Sequence, residues 1–152
     1  MEYKKLIDKH FNDVVKGLDE KNLEDYNLWH SYVNSLEIKQ KATYLASILD
    51  GQVFNGGFHQ YFLNSYGTFA NLTLEILEKM NSIKLYKILS KVINEVNYLK
   101  LNIEDFNKII FNRNLDKLVN FDDDLYDSLD KYDDLYYQLR DDLINDLGKF
   151  IS

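Results

Sequence analysis

Apolar residues recur along this chain at steps of three and four, in segments separated by glycines, asparagines and short polar runs. Leu6, Ile7, Phe11, Val14, Val15 and Leu18 predict a first helix over residues 3–18, with Gly17 marking its end. A short helix carrying Trp29 is predicted over 22–34. Another is predicted over 37–51, with Tyr44, Leu45, Ile48 and Leu49 on its apolar side. Asn55-Gly56-Gly57 breaks the period and predicts a turn. Phe58, Tyr61 and Phe62 then fall at i, i+3 and i+4. They predict a short helix over 58–66, closed by Gly67, whose tolerance of positive φ suits a helix end.

Thr68 and Ser82 are candidate N-caps for the next two helices. The second of these would bury Leu85, Ile88, Leu89, Val92, Ile93 and Val96. Asn112, Asn114 and Asn120 predict short helices joined by loops over 102–120. The last segment has the strongest period: Leu125, Leu129, Tyr132, Tyr136, Leu139, Leu143, Leu147 and Phe150 recur at steps of four and three. Unbroken to residue 151 it would be about 45 Å long at 1.5 Å per residue, long enough that a kink is allowed for. Asp122, Asp123 and Asp124 stand at its N-terminal end, where negative charge complements the helix dipole. The expectation is an all-α fold, a single compact multi-helix domain over 1–152 with a long acidic C-terminal helix.

Composition narrows the function. The chain has 152 residues, 45% hydrophobic and 14% aromatic, which is the make-up of one globular domain with a core. No proline interrupts the helical pattern, where about seven or eight would be usual at a 5% frequency. No cysteine is present, so disulfides and thiolate metal sites are excluded. The first residues carry acids and no apolar run, so no signal peptide is read. No stretch reaches the roughly 18 apolar residues of a membrane span. The expected location is cytoplasmic.

The net charge of −7 is unevenly placed: residues 1–100 hold 12 acids and 12 bases, and residues 101–152 hold 13 acids and 6 bases. A negative field this local disfavours nucleic acid and membrane surfaces as partners and favours a basic protein. Within 122–146 there are ten acids and two bases, and every acid is Asp, although elsewhere the chain uses seven Asp and eight Glu. Asp is the poorer helix former by a few tenths of a kcal/mol. Its short side chain holds the charge in a more fixed place. Asp123, Asp127, Asp130, Asp134 and Asp141 lie at steps of four, three, four and seven. On a helix they form one column opposite the leucine stripe.

The segment NGGFHQYFLNSYG, residues 55–67, is the other distinctive feature. Asn55, Gln60, Asn64 and Ser65 can hydrogen-bond backbone groups left unpaired by the turn. It lacks the glycine spacing and lysine of a phosphate loop. It resembles the signature of the bacterial DNA mimic protein 19-like family. Asn55, Gly56, Gly57, Phe58, Gln60, Tyr61, Phe62, Asn64, Ser65 and Gly67 carry the likeness. Gln52 stands where many members have Glu. Leu129-Asp130, Tyr136-Tyr137, Leu139, Asp142, Leu143 and Leu147 resemble the family's closing helix.

The resemblance implies an all-α fold. For the member that names the family it implies a homodimer whose acidic surface is shaped like duplex DNA and occupies the DNA-binding face of a helix-turn-helix transcription regulator. Other members have no established role, and function belongs to the surface rather than the fold. A single Asp column offers about one charge per 5.4 Å turn, against one per about 1.7 Å of duplex axis, so one helix supplies only about a third of the density. Asp124, Asp133, Asp142 or Asp146, from a neighbouring helix or dimer mate, would have to add to it.

Catalysis and cofactors are not expected. His10, His30 and His59 show no ligand spacing, no Ser or Thr sits in a nucleophile motif, and the helical carboxylates lack the loop and glycine of an EF-hand. Two other readings stay open. One is an immunity-type or structural adaptor that binds its partner by shape and apolar contacts. The other is a small-ligand domain built around residues 55–67.

Overall fold

Eight α-helices, and no strand, are found among the described residues of the computed structural model, which are 3–118 and 123–152, with side chains at 3–118 and 127–152. The fold is all-α. Asn120 and Asp122, and the side chains of Asp123, Asp124 and Leu125, lie outside the described residues.

The first helix, α1 (Lys4–Lys16), ends at Gly17 as its pattern predicts. The expected helix over 22–34 is two helices, α2 (Glu20–Glu24) and α3 (Tyr26–Ser35). Two aspartates cause the break. Asp19 accepts from the Asn22 backbone N–H, and Asp25 accepts from that of Leu28, so each starts a helix of its own.

The predicted helix over 37–51 and the short helix after it are two halves of one bent element, α4 (Ile38–Leu63). Its first half does not stop at Gly51 but runs on to the glycine pair. Gly56 and Gly57 alone leave helical geometry, with Gly57 at φ 78°. Ser65, not Gly67, takes the left-handed conformation at its end, with φ 70°. Gly67 instead lies in a 3-10 turn (Tyr66–Phe69), where a Cβ would stand 2.4 Å from the Phe62 ring.

Neither predicted hydroxyl cap forms. Thr68 donates to the Asn107 carbonyl, and α5 (Ala70–Lys79) starts after Phe69. Ser82 does precede α6 (Ile83–Val96), but its hydroxyl donates to Asp146 instead of capping. Leu85, Ile88, Leu89, Val92, Ile93 and Val96 are all buried, as their period requires. A short helix and a 3-10 turn follow, α7 (Ile103–Phe111) and Leu115–Lys117. The last helix, α8 (Asp123–Ile151), is unbroken over 29 residues, about 44 Å.

α8 packs mainly on α4 and also on α6 and α1. Leu129, Tyr132, Tyr136, Leu143 and Leu147 of its stripe are buried, and Leu139 and Phe150 are partly so. They join one core cluster with Val14, Trp29, Leu45, Phe58 and Phe106. The bent α4 is therefore seated against the acidic helix along its length, and this arrangement sets what α8 shows to solvent.

Candidate functional site

The glycine pair bends α4 where α8 crosses it. Past Gly57 the chain starts a new helical run, and its first N–H, that of Phe58, needs an acceptor. The Oδ1 atom of Asp133 on α8 supplies it at 2.8 Å. The cap thus comes from 75 residues away instead of from the residue before the helix. A Cβ on Gly57 would lie 2.4 Å from the same carboxylate, so positive φ and close approach both require glycine there.

Burial raises the Asp133 pKa. The Phe58 hydrogen bond lowers it, and neighbouring Asp130 and Asp134 raise it further. Phe58 is buried with its ring edge-on to Tyr136, the centroids 5.9 Å apart. Tyr61 and Phe62 are fully buried, and Phe62 reaches Phe106 of α7.

The polar residues of the segment form a ladder along the outer side of α4. Gln60 and Asn64 both donate to the Gln52 side-chain oxygen, at 3.1 and 2.9 Å, and Asn55 donates to Gln60 at 3.4 Å. Gln52 acts there only as an acceptor, which a carboxylate would do equally well. Ser65 accepts from Arg113 Nε at 3.0 Å and donates to the Phe111 carbonyl, joining the end of α4 to the end of α7. A cleft of about 460 Å³ opens beside them, bordered by Asn64, Tyr66, Arg113 and Trp29. Asn55, Gly57, Phe58, Gln60, Tyr61, Phe62, Asn64, Ser65 and Gly67 thus each make a contact that shapes the turn or its packing.

The aspartates of α8 separate into two sets. Asp127, Asp130, Asp134 and Asp141 are exposed, as is Asp142. Asp133 and Asp146, which could have added to the column, are turned to internal partners, Phe58 and Ser82. The backbone of Asp123 begins α8, and its side chain is outside the description.

The two bases within 122–146 are held elsewhere. Arg140 makes a two-pronged bond to Asp50 of α4, at 2.9 and 3.1 Å. Lys131 lies 3.9 Å from Glu95 of α6. Tyr136 also donates to Asp50, and burial with that carboxylate beside it pushes the Tyr136 pKa upward. Ser128 and Tyr132 both donate to Glu95. Among the described residues, no ion pair involves the four exposed aspartates of the column.

The periodicity carried a signal for these inward groups that the spacing of the acids alone concealed. Asp133 follows Leu129 by four and precedes Tyr136 by three, and Arg140 stands in the same relation to Tyr136 and Leu143. Both belong to the stripe that meets α4. Their partners, Phe58 and Asp50, are set by tertiary packing and have no local mark.

A model of the DMP19-like protein family matches residues 34–152. The chain belongs to the DMP19-like protein family. The match begins after most of α3 and takes in the bent α4, its glycine turn and the whole of α8. No curated protein and no solved structure matches the chain.

The histidines sit on α1, α3 and α4. His30 bonds Thr68 at 2.9 Å, and burial lowers its pKa to about 4. Among the described residues, no group of three His, Asp or Glu side chains is placed to hold a metal ion, and no helix is long and apolar enough to cross a membrane.

Proposed function

We infer that this protein is a binding module without catalytic activity, whose acidic α8 face occupies a basic surface of another protein, of the kind that otherwise grips DNA. One observation carries the reading. Asp127, Asp130, Asp134 and Asp141 are exposed, while both bases of that stretch are drawn away to Asp50 and Glu95. The column thus has no ion-pair partner among the described residues, although Arg140 still feels the charge of Asp141. Family membership agrees with such a role. The partner would be a basic protein, for example a transcription regulator, with no direct contact to nucleic acid.

The charge density bears on how the surface is completed. Two of the four extra aspartates are committed to internal bonds and Asp142 is exposed, so the described residues add one carboxylate to the roughly one-third of duplex density that a single column gives. A homodimer that aligns two columns would raise it.

The test is capture from host lysate at low and high salt, with duplex DNA as competitor. A basic regulator should be retained, released by salt and displaced by duplex. The Asp127→Asn, Asp130→Asn, Asp134→Asn, Asp141→Asn variant should fold and retain nothing. Undiminished retention by that variant would remove the electrostatic reading and leave the adaptor that binds by shape.

A further inference from the structure

The column has a gap of seven between Asp134 and Asp141, and the residue at the intermediate step is Tyr137. Residues 130, 134, 137 and 141 share one helix face, since steps of four, three and four return to nearly the same angle. Tyr137 is 44% exposed, and beside it Phe54 of α4 is 54% exposed. Their rings meet edge to face with centroids 6.3 Å apart. The Arg140 guanidinium lies 3.7 Å from the Phe54 ring centroid and is fixed there by Asp50. The Tyr137 hydroxyl donates to the Val53 carbonyl at 3.3 Å. These contacts orient the pair while leaving about half of each side chain open.

We propose that Phe54 and Tyr137 form the apolar anchor of the binding face, and that the occupant is a basic amphipathic helix that sets a non-polar side chain on this pair and its lysines or arginines on Asp130, Asp134 and Asp141. This rests on the electrostatic reading above and deepens it. The argument for such an occupant is complementarity. A centre of rigid aromatic surface with a buttressed arginine, ringed by charge, is the anatomy of a protein-binding hot spot. Asp130, Asp134 and Asp141 on this face of α8 have no ion-pair partner among the described residues and select positive charge around the partner's apolar residue, while Arg140 is paired with Asp50. Carboxylates alone would accept any polycation. The aromatic pair distinguishes a folded basic helix from a basic chain without an apolar face.

Two synthetic 18-residue peptides of identical composition test this. One places leucines on a single helical face between lysines, and the other scatters them. Fluorescence anisotropy should show the wild-type protein binding the amphipathic peptide at least about tenfold more tightly, the scale of one hot-spot side chain. Phe54→Ala and Tyr137→Ala, made separately so that either can carry the test if the other melts early, should bring the two peptides to similar affinity while leaving the salt dependence in place.

Equal binding of both peptides by wild type, or an unchanged ratio in the aromatic variants, overturns the anchor. The electrostatic reading stands apart from that result. It survives if both peptides weaken in the Asp130→Asn, Asp134→Asn, Asp141→Asn variant and falls if they do not.

Discussion

Asp133 shows how one atom contact decides what a residue is for. By composition it is one of ten similar acids, but its Oδ1 caps the second half of α4 at Phe58. Asn can accept the same hydrogen bond, whereas Ala leaves the N–H without an acceptor. Asp133→Asn is therefore expected to melt close to wild type, and Asp133→Ala to lose about 1 kcal/mol, within the 0.5–2 range of N-cap removals. Gly57→Ala should cost more, because a side chain there meets both an unfavourable φ and the capping carboxylate. Urea melts of the three variants rank them.

Two titrations act with opposite sign. The Asp133 pKa is raised in the fold above its ordinary 3.8, so the folded state holds that proton more tightly. Its contribution to stability falls as pH rises from 3.8 through the native value. His30 is lowered from 6.5 to about 4, so its contribution is present above 6.5 and is lost as pH falls through that interval. An NMR titration should place the His30 midpoint near 4. Asp133→Asn should abolish the first of these slopes and leave the second.

Between elements, the seam of α4 and α8 concentrates its polar contacts on two carboxylates. Asp50 accepts from Tyr136 and twice from Arg140. Removing the shared acceptor strands two donors, while Tyr136→Phe removes one bond and leaves Asp50 paired. Asp50→Ala should thus cost about 1–3 kcal/mol and Tyr136→Phe about 0.5–1.5. A double-mutant cycle of Asp50 with Arg140 should show coupling above about 0.5 kcal/mol. Substituting the four exposed aspartates by Asn should change stability by less than about 0.5 kcal/mol each, since none has an ion-pair partner among the described residues.

This contrast also marks how far the sequence could be read. The stripe of α8 and the buried face of α6 were legible because helical period alone determines which residues turn inward. The glycine bend was legible because few residues other than glycine tolerate such backbone. The exposure of Asp127, Asp130, Asp134 and Asp141 followed from the same period. What escaped was the identity of long-range partners. That Asp133 serves Phe58, and that Ser82 serves Asp146 rather than its own helix, depends on which helices lie side by side. The split of α2 from α3 was a local error of a different kind: Asp25 is an N-cap in the middle of an apolar period, and the period hid it.

At the scale of the whole molecule, the family match starts at residue 34, yet the core does not. Val14, Trp29 and Val33 all precede that point and are buried. Trp29 donates to the Tyr44 hydroxyl at 3.1 Å and meets Tyr66, Phe69 and Phe111 edge-on. Val14 comes from α1, which packs on α4 and α8. Losing a buried Trp side chain alone costs about 3–5 kcal/mol, a large part of the roughly 5–15 kcal/mol that holds a domain together. A chain limited to 34–152 should therefore lose its cooperative thermal transition by circular dichroism. A cooperative melt within a few degrees of the full chain would show instead that α1 to α3 are accessory.

The binding consequence follows from the charges. Residues 1–33 hold seven acids and five bases, so the shortened chain keeps −5 of the −7 and every aspartate of the column. If net charge were sufficient, it would bind a basic peptide nearly as well as the full chain. If the column acts as a rigid array spaced by the helix, affinity should collapse with the fold although the charge remains. Peptide affinity measured on both chains at one ionic strength separates a surface built by packing from an acidic polymer.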